Sequence, residues 1–336
     1  MTIKKFLADN RFTKDFYTGL RDIKHKTIQA VDEHRDFAYR GIFDDRQRGH
    51  SKLCIVLAGY KSYLYVATME RIKTYIDDDI DVCIVTSGKY SSDIDKMCQQ
   101  EGWSYLSTKQ NNVALVQNVA IKLHPKAEWI YKLDEDIFIT DGYFSNMMKA
   151  YEHAEDGEFN PGVLAPLIPV NGYGHMRILQ KIGVVDDYTN RFEKPKYAAG
   201  IDRKIEDDPD AAKFMWGEGG VVPGIDDLND LFKNDPTEER PCPIRFSIGA
   251  ILFKRSLWED MNHYTVKKGS GIGVDEEQIC QYCSVNSRPL MVSENIVVGH
   301  LSFGRQNGAM KKYFLSNPEV FAIPQKHLNK KAENES

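Results

Sequence analysis

Long apolar runs are missing from this sequence. The longest, such as "CIVLA" at 54–58, fall far short of the roughly 20 residues that a membrane-spanning helix requires. Blocks of lysine and arginine are missing as well, and 44 basic against 49 acidic residues leave a formal net charge of −5. That balance argues against a nucleic-acid partner held by a basic surface. Cysteine is sparse, with six in 336 residues, so no disulfide framework is expected. Cys280 and Cys283 have zinc-knuckle spacing, but no second such pair exists, and they read as packing residues on a helix. No G-x-x-x-x-G-K-[ST] stretch occurs, which sets a P-loop enzyme aside. The N-terminal "MTIKKFLADNRF" has basic residues but no apolar core of a secretory signal. The expectation is a cytoplasmic, reduced protein without a transmembrane segment.

What is present has the composition of a soluble globular chain, 42% hydrophobic and 28% charged. Residues 1–50 read as a helical extension. Phe12, Phe16, Leu20, Ile23 and Val31 recur at near-helical spacing, giving an apolar stripe suited to docking on the body or on a second subunit. Its cluster Arg21, Lys24, His25 and Lys26 suits a solvated face, or peripheral contact with the inner face of a membrane. From Lys52 the pattern alternates. "LCIVLAGY", "DVCIVTSG", "WSYLST" and "WIYKL" read as strands, with helices predicted over 62–75, 91–102 and 111–124 between them. Strand alternating with helix predicts an α/β fold, a mostly parallel central sheet with helices on both faces. In such sheets ligands bind beyond the carboxyl ends of the strands.

At one of those ends stands "AEWIYKLDEDIFIT", where three consecutive acids follow an apolar run. On an extended segment Asp134 and Asp136 share a face, about 7 Å apart at Cα, while Glu135 points away. Two converging carboxylates repel unless something positive lies between them. A hard divalent cation with oxygen ligands answers that need. A solvated acidic turn is the plainer alternative. The loops after the first two strands, 58–61 and 86–89, reach the same end of the sheet.

The second half opens with a strand in "PGVLAPLIPV", followed by a stretch rich in Gly, Asp, Pro and Tyr with little periodicity. Such insertions are typically binding loops or lids, and 172–224 is expected to act as one. Regular structure returns at "IRFSIGAILFKRSLWEDM". "GSGIG" then leads into a helix beginning "VDEEQICQYC", and "LMVSENIVVGHLSF" carries His300 near its end. Asp275 is placed to cap that helix, with Gln278 as capping-box partner. Alternatively one of its acids removes a proton as general base. Residues 311–336 are expected to form a tail outside the domain, polar after about Gln325.

These elements, in this order, resemble the nucleotide-sugar glycosyltransferases of GT-A fold, whose hallmark is Asp-x-Asp at this strand end. The resemblance covers roughly residues 50–305. It rests on "YKLDEDIFI", the "G-x-D-E-E" of "GVDEE" and the late His300, an ordered set similar to that of inverting galactosyltransferase-type members. It implies a catalytic domain over 51–310, with 51–142 taking the nucleotide sugar and 143–310 the acceptor. It also implies Mn2+ or Mg2+ as cofactor, held by Asp134, Asp136 and His300, with Asp134 also reaching the ribose. A mixed carboxylate and imidazole set suits Mn2+ better than Mg2+. By the same resemblance Glu276, then Asp275, takes the place of the catalytic base. Ala58, Tyr60, Lys61, Thr86, Asn112 and Asn118 are candidates for donor contact, with Ser87 and Asn111 beside them. Trp216 and Tyr173 are candidate floors for a sugar ring, and Arg305 a candidate for the diphosphate. The implied function is transfer of a sugar to a glycan or lipid-linked acceptor, with bacterial surface polysaccharide as the expected setting. A phosphatase of the haloacid dehalogenase type also uses Asp-x-Asp after a strand, but wants Thr or Val where Phe138 stands. A non-catalytic carbohydrate-binding protein would bind sugar without metal-dependent turnover.

Overall fold

The computed structural model describes residues 41–200, 203–266 and 273–328, together with scattered positions between 19 and 31. Phe12 and Phe16 of the expected N-terminal helix lie outside the described residues. Leu20, Ile23 and Val31 are helical, and they are exposed.

Nine strands form one sheet, in the order β1-β4-β3-β2-β5-β9-β7-β10-β8. They are β1 (Ile42–Asp44), β2 (Lys52–Ala58), β3 (Ile80–Ser87), β4 (Ser104–Thr108), β5 (Trp129–Asp134), β7 (Val163–Leu167), β8 (Glu239–Pro241), β9 (Ala250–Lys254) and β10 (Leu290–Val297). Two short strands, β6 (Ile137–Phe138) and β11 (Gly299–His300), pair separately. Strands β4, β3, β2 and β5 run parallel. Because β9 is antiparallel to both β5 and β7, and β10 is parallel to β7, the latter two keep the direction of the first four. All eight residues of β3 are buried, as are Leu53 to Val56 of β2, so both faces of the sheet centre are covered. The expected α/β architecture is the one observed.

The connecting helices begin and end where local chemistry directs. α1 (Tyr65–Tyr75) follows β2. α2 (Ser92–Glu101) is capped by the Ser91 hydroxyl, which accepts the Ile94 N–H, and stops at Gly102 with φ +70°. α3 (Val113–Leu123) is capped by Asn112, whose Oδ1 accepts the Leu115 N–H at 2.9 Å.

Three expectations about extent are corrected. Residues 41–50 belong to the sheet: β1 pairs with β4, and Asp81 accepts the N–H groups of Arg48, Gly49 and His50. The 172–224 stretch is a chain of short helices, Gly174–Ile182, Val185–Arg191, Lys204–Asp207 and Pro209–Met215. None exceeds nine residues, too short for a periodic apolar pattern to register. The chain past 310 is part of the fold, since helices Asn307–Ser316 and Pro318–Phe321 bury Met310, Phe314 and Phe321. Arg71 of α1, fully buried, holds this end by donating to the carbonyls of Phe321 and Ala322 while forming a two-pronged pair with Asp226.

Candidate functional site

The chain leaves β2 for β3 on one side, and β5 joins β2 on the other. The crevice at their carboxyl ends is therefore a topological switch point. Leu57 lies opposite Asp134 across it, so Ala58, Tyr60 and Lys61 from β2 meet the acids that follow β5.

Residues 135 and 136 form a turn beyond β5, so the alternation expected of an extended segment does not apply there, and Glu135 has a structural role that the sequence reading missed. Its carboxylate accepts the backbone N–H groups of Gly59 at 2.9 Å, Tyr60 at 3.1 Å and Lys61 at 2.9 Å, clamping the loop after β2. Burial pushes the Glu135 carboxyl above its ordinary value, and these three N–H groups act in the opposite direction.

Asp136 is 4% exposed and has two nitrogen-bearing neighbours on one oxygen. Its Oδ2 pairs with the Lys61 ammonium and lies 3.3 Å from His300 Nε2. Burial alone would raise this carboxyl, but His300 and Lys61 together hold it well below the usual carboxylate range. His300 arrives through the β6–β11 pair, in which it lies opposite Ile137. Gly299 allows that approach: a Cβ there would stand 2.2 Å from the Trp216 ring. Trp216, 1% exposed, is thus not a sugar floor. It packs on Phe138 and Phe321 and donates from Nε1 to the His300 carbonyl at 3.2 Å.

Asp134 has a different partner. Lys132, two residues earlier on the same face of β5, pairs with Asp134 Oδ1 at 2.6 Å and donates to the Ile248 carbonyl at 2.7 Å. Burial raises the Asp134 carboxyl, with Lys132 opposing and Asp136 adding to the rise. Gly249 packs beside it; a Cβ at that position would lie 3.0 Å from Ile137 Cδ1 and 3.4 Å from Asp134 Oδ2. Among the described residues no three His, Cys, Asp or Glu side chains converge as a metal-binding group. The expected trio is thus divided: Asp136 and His300 meet, whereas Asp134 is drawn to Lys132.

The acids at 275–277 open the helix Val274–Val285, after Gly273 with φ +100°. The expected capping box is absent, because Gln278 instead accepts the Thr265 N–H and donates to the His263 carbonyl. Asp275 is buried and accepts from Gln117 at 2.8 Å. Glu276 lies 3.1 Å from Arg245 Nε, and burial raises its carboxyl while Arg245, Lys132 and the Ile248 N–H oppose. Lys132, paired with Asp134, is thus also near enough to Glu276 to favour its charged form. A groove of about 550 Å3 lined by Ile244, Arg245, Glu277, Cys280 and Leu290, among others, adjoins this corner.

The remaining candidates separate. Tyr60 is exposed at the crevice, its hydroxyl donating to the Ser87 carbonyl at 2.6 Å. Thr86 is fully buried against the Tyr105 hydroxyl, and the Ser87 hydroxyl accepts the Asn112 N–H. Asn118 is engaged away from the crevice, bridging Trp258 Nε1 and the Tyr264 backbone in the core. Tyr173 is buried against Tyr197 and Phe246, and Arg305 forms a surface pair with Asp207 at 3.1 Å. All six cysteines are unbridged.

A cation's fit can be judged from the donor set. Ligands at right angles around a cation with bonds of ~2.1 Å lie about 3 Å apart. The 3.3 Å between Asp136 Oδ2 and His300 Nε2 is close to that spacing. Asp136 and His300 fit a divalent cation, provided that Lys61 yields its place.

No protein-family model and no curated protein matches the sequence. Similar chain courses occur among solved structures. Residues 1–349 of S. aureus TarS align with a TM-score of 0.44 and 11% identity, over 75% of this chain and 60% of that one. Mannosyltransferase PcManGT from Pyrobaculum calidifontis, solved with GDP-Man and Mn2+, aligns with a TM-score of 0.44 and 11% identity, over 83% and 66%. GalNAc-T7, solved with UDP, GalNAc and Mn2+, gives a TM-score of 0.44 and 12% identity, over 86% and 55%. This chain therefore spans about three fifths of the length of those structures. The likeness concerns chain course, and roles at the site rest on its own residues.

Proposed function

We propose that the protein is a metal-dependent glycosyltransferase that moves a sugar from a nucleoside-diphosphate donor to a glycan or lipid-linked acceptor, with inversion at the anomeric carbon. The observation that carries this reading is the meeting, at the β2/β5 switch point, of Asp136 with His300 and Lys61, while a second pair of acids is near enough to act on it, Asp275 raising the Asp134 carboxyl and Lys132 opposing the rise of Glu276. A lectin has no need of two such acid centres side by side.

Asp136 and His300 would hold Mn2+ or Mg2+, which supplies positive charge to the diphosphate as the glycosidic bond breaks. Asp134, fixed by Lys132, is positioned to orient the donor's ribose. Tyr60 offers an exposed aromatic face to the base, and Ala58 and Lys61 border the phosphates. Glu276 takes the acceptor hydroxyl proton. Its burial raises proton affinity, and the Arg245 guanidinium orients the carboxylate without protonating it. The groove beyond Arg245 receives the acceptor. The segment 172–224, whose Glu206 accepts the Gly172 and Gly200 N–H groups and feels the charge of Arg245 and His300, would close over the donor and exclude water. A bacterial surface polysaccharide is the proposed setting.

The test is a donor screen that reads release of nucleoside diphosphate, with Mn2+ and with excess chelator. Donor turnover that requires the cation supports the reading. Full turnover in chelator refutes its metal dependence.

A further inference from the structure

We infer that Lys61 is a tethered counter-ion: it neutralises Asp136 when no divalent cation is bound and passes to the donor diphosphate when one is. The inference rests on the glycosyltransferase reading for the identity of the second anion. Its starting point is that one atom has two claimants. The Lys61 ammonium contacts Asp136 Oδ2, the same oxygen that faces His300 Nε2 at 3.3 Å. A cation shared by Asp136 and His300 would compete with the ammonium for that oxygen, and two positive charges on one oxygen repel.

The main chain cannot relieve that conflict, because the Lys61 N–H is held by Glu135 at 2.9 Å and the two preceding N–H groups by the same carboxylate. Only the flexible four-carbon stem can move. The neighbouring anions are already engaged. Asp134 is paired with Lys132, and Glu135 accepts three backbone N–H groups. A displaced ammonium therefore finds no vacant carboxylate among the acids of this strand end. The anion left for it is the one entering the crevice, a diphosphate. The same pinned backbone that fixes where Lys61 begins limits its head group to the mouth of the β2/β5 crevice.

The consequence is reciprocal coupling. Without nucleotide, the cation must compete with Lys61 and binds weakly; with it, Lys61 has a second partner and the competition is relieved. The same lysine works against the metal and in favour of the donor.

The test measures Mn2+ binding by the parent and by Lys61→Met, using the electron-spin signal of free Mn2+ and no nucleotide. UDP and GDP are then titrated at saturating Mn2+. Lys61→Met is expected to bind Mn2+ alone at least tenfold more tightly, and whichever nucleotide the parent binds at least tenfold more weakly. Lys61→Arg, which keeps the charge, should remain near the parent in Mn2+ affinity. If Lys61→Met loses its thermal transition, Lys61→Gln carries the same comparison. Mn2+ affinity that is unchanged or weaker in the neutral variant overturns the counter-ion inference and leaves the donor reading standing. Nucleotide affinity that is unchanged overturns the transfer to the diphosphate. A parent that binds neither UDP nor GDP overturns the donor reading, and with it that transfer.

Discussion

Glu135 accepts the backbone N–H of Lys61 at 2.9 Å, while the side chain of that same lysine is paired with Asp136, the next residue after Glu135. Two consecutive acids thus grip one residue, by its main chain and by its head group. The loop after β2 and the turn after β5 are thereby locked into a single unit at the crevice.

That lock has a measurable stability. Glu135→Ala leaves three loop N–H groups without their acceptor, and each lost bond of this kind costs about 1 kcal/mol. A fall in Tm, accompanied by faster amide exchange at 59–61 than in the parent, is the expected result. An unchanged exchange pattern would contradict the clamp.

Glu276 is assigned the acceptor's proton. Glu276→Gln should reduce turnover by roughly a hundredfold or more, the usual loss without general-base assistance. Donor affinity should change little, because the base acts on the acceptor. Near-parental turnover would reassign the acid to acceptor orientation and make a retaining outcome the better account.

Arg71 joins α1 to the C-terminal helices from a fully buried position. Arg71→Met leaves Asp226 buried without its cation, at a cost on the order of 3–5 kcal/mol. Limited proteolysis should then cut near 317–324, and resistance equal to the parent's would refute the tie.

His175 sets an acid limb on stability. Burial lowers its pKa from 6.5 to about 4, and Nδ1 hydrogen-bonds the Asn171 carbonyl, so the folded ring is neutral where an unfolded one is already protonated. The unfolded state binds the extra proton, so this contribution is complete above about pH 6.5 and declines as pH falls towards 4. The total loss is roughly 3 kcal/mol at 1.36 kcal/mol per pKa unit. Denaturant titrations at pH 7 and pH 4.5 should show a smaller difference in His175→Phe than in the parent.

The alternating architecture was legible because β2, β3 and β5 carry continuous apolar runs, and because caps such as Asn112 stand next to helical patterns. The acidic corner drew notice because three acids follow an apolar run, but the period-two placement of Asp134 and Asp136 on one face did not carry through, because β5 ends at Asp134 and residues 135 and 136 form a turn. Within β5 period two does put Lys132 on the face of Asp134, and a lysine within an apolar strand was the available signal for it. The short helices of 174–215 were not legible, since each makes between about one and two and a half turns, and they are held by packing on one another, as Tyr188 does on Phe214. The division of the expected metal trio was beyond sequence too. The partner Lys61 lies 75 residues from Asp136, and only the fold brings the two together.

The central claim is that the crevice at Asp136 binds a sugar nucleotide and a divalent cation for transfer. The most direct measurement is nucleoside diphosphate release from a panel of sugar nucleotides with Mn2+, by the parent and by Asp136→Asn, with near-ultraviolet circular dichroism of both as the check that the variant is folded. The account predicts release from at least one donor by the parent, its loss in chelator, and a fall of at least a hundredfold in Asp136→Asn. Undiminished release by Asp136→Asn, or no release from any donor by the parent, would contradict it.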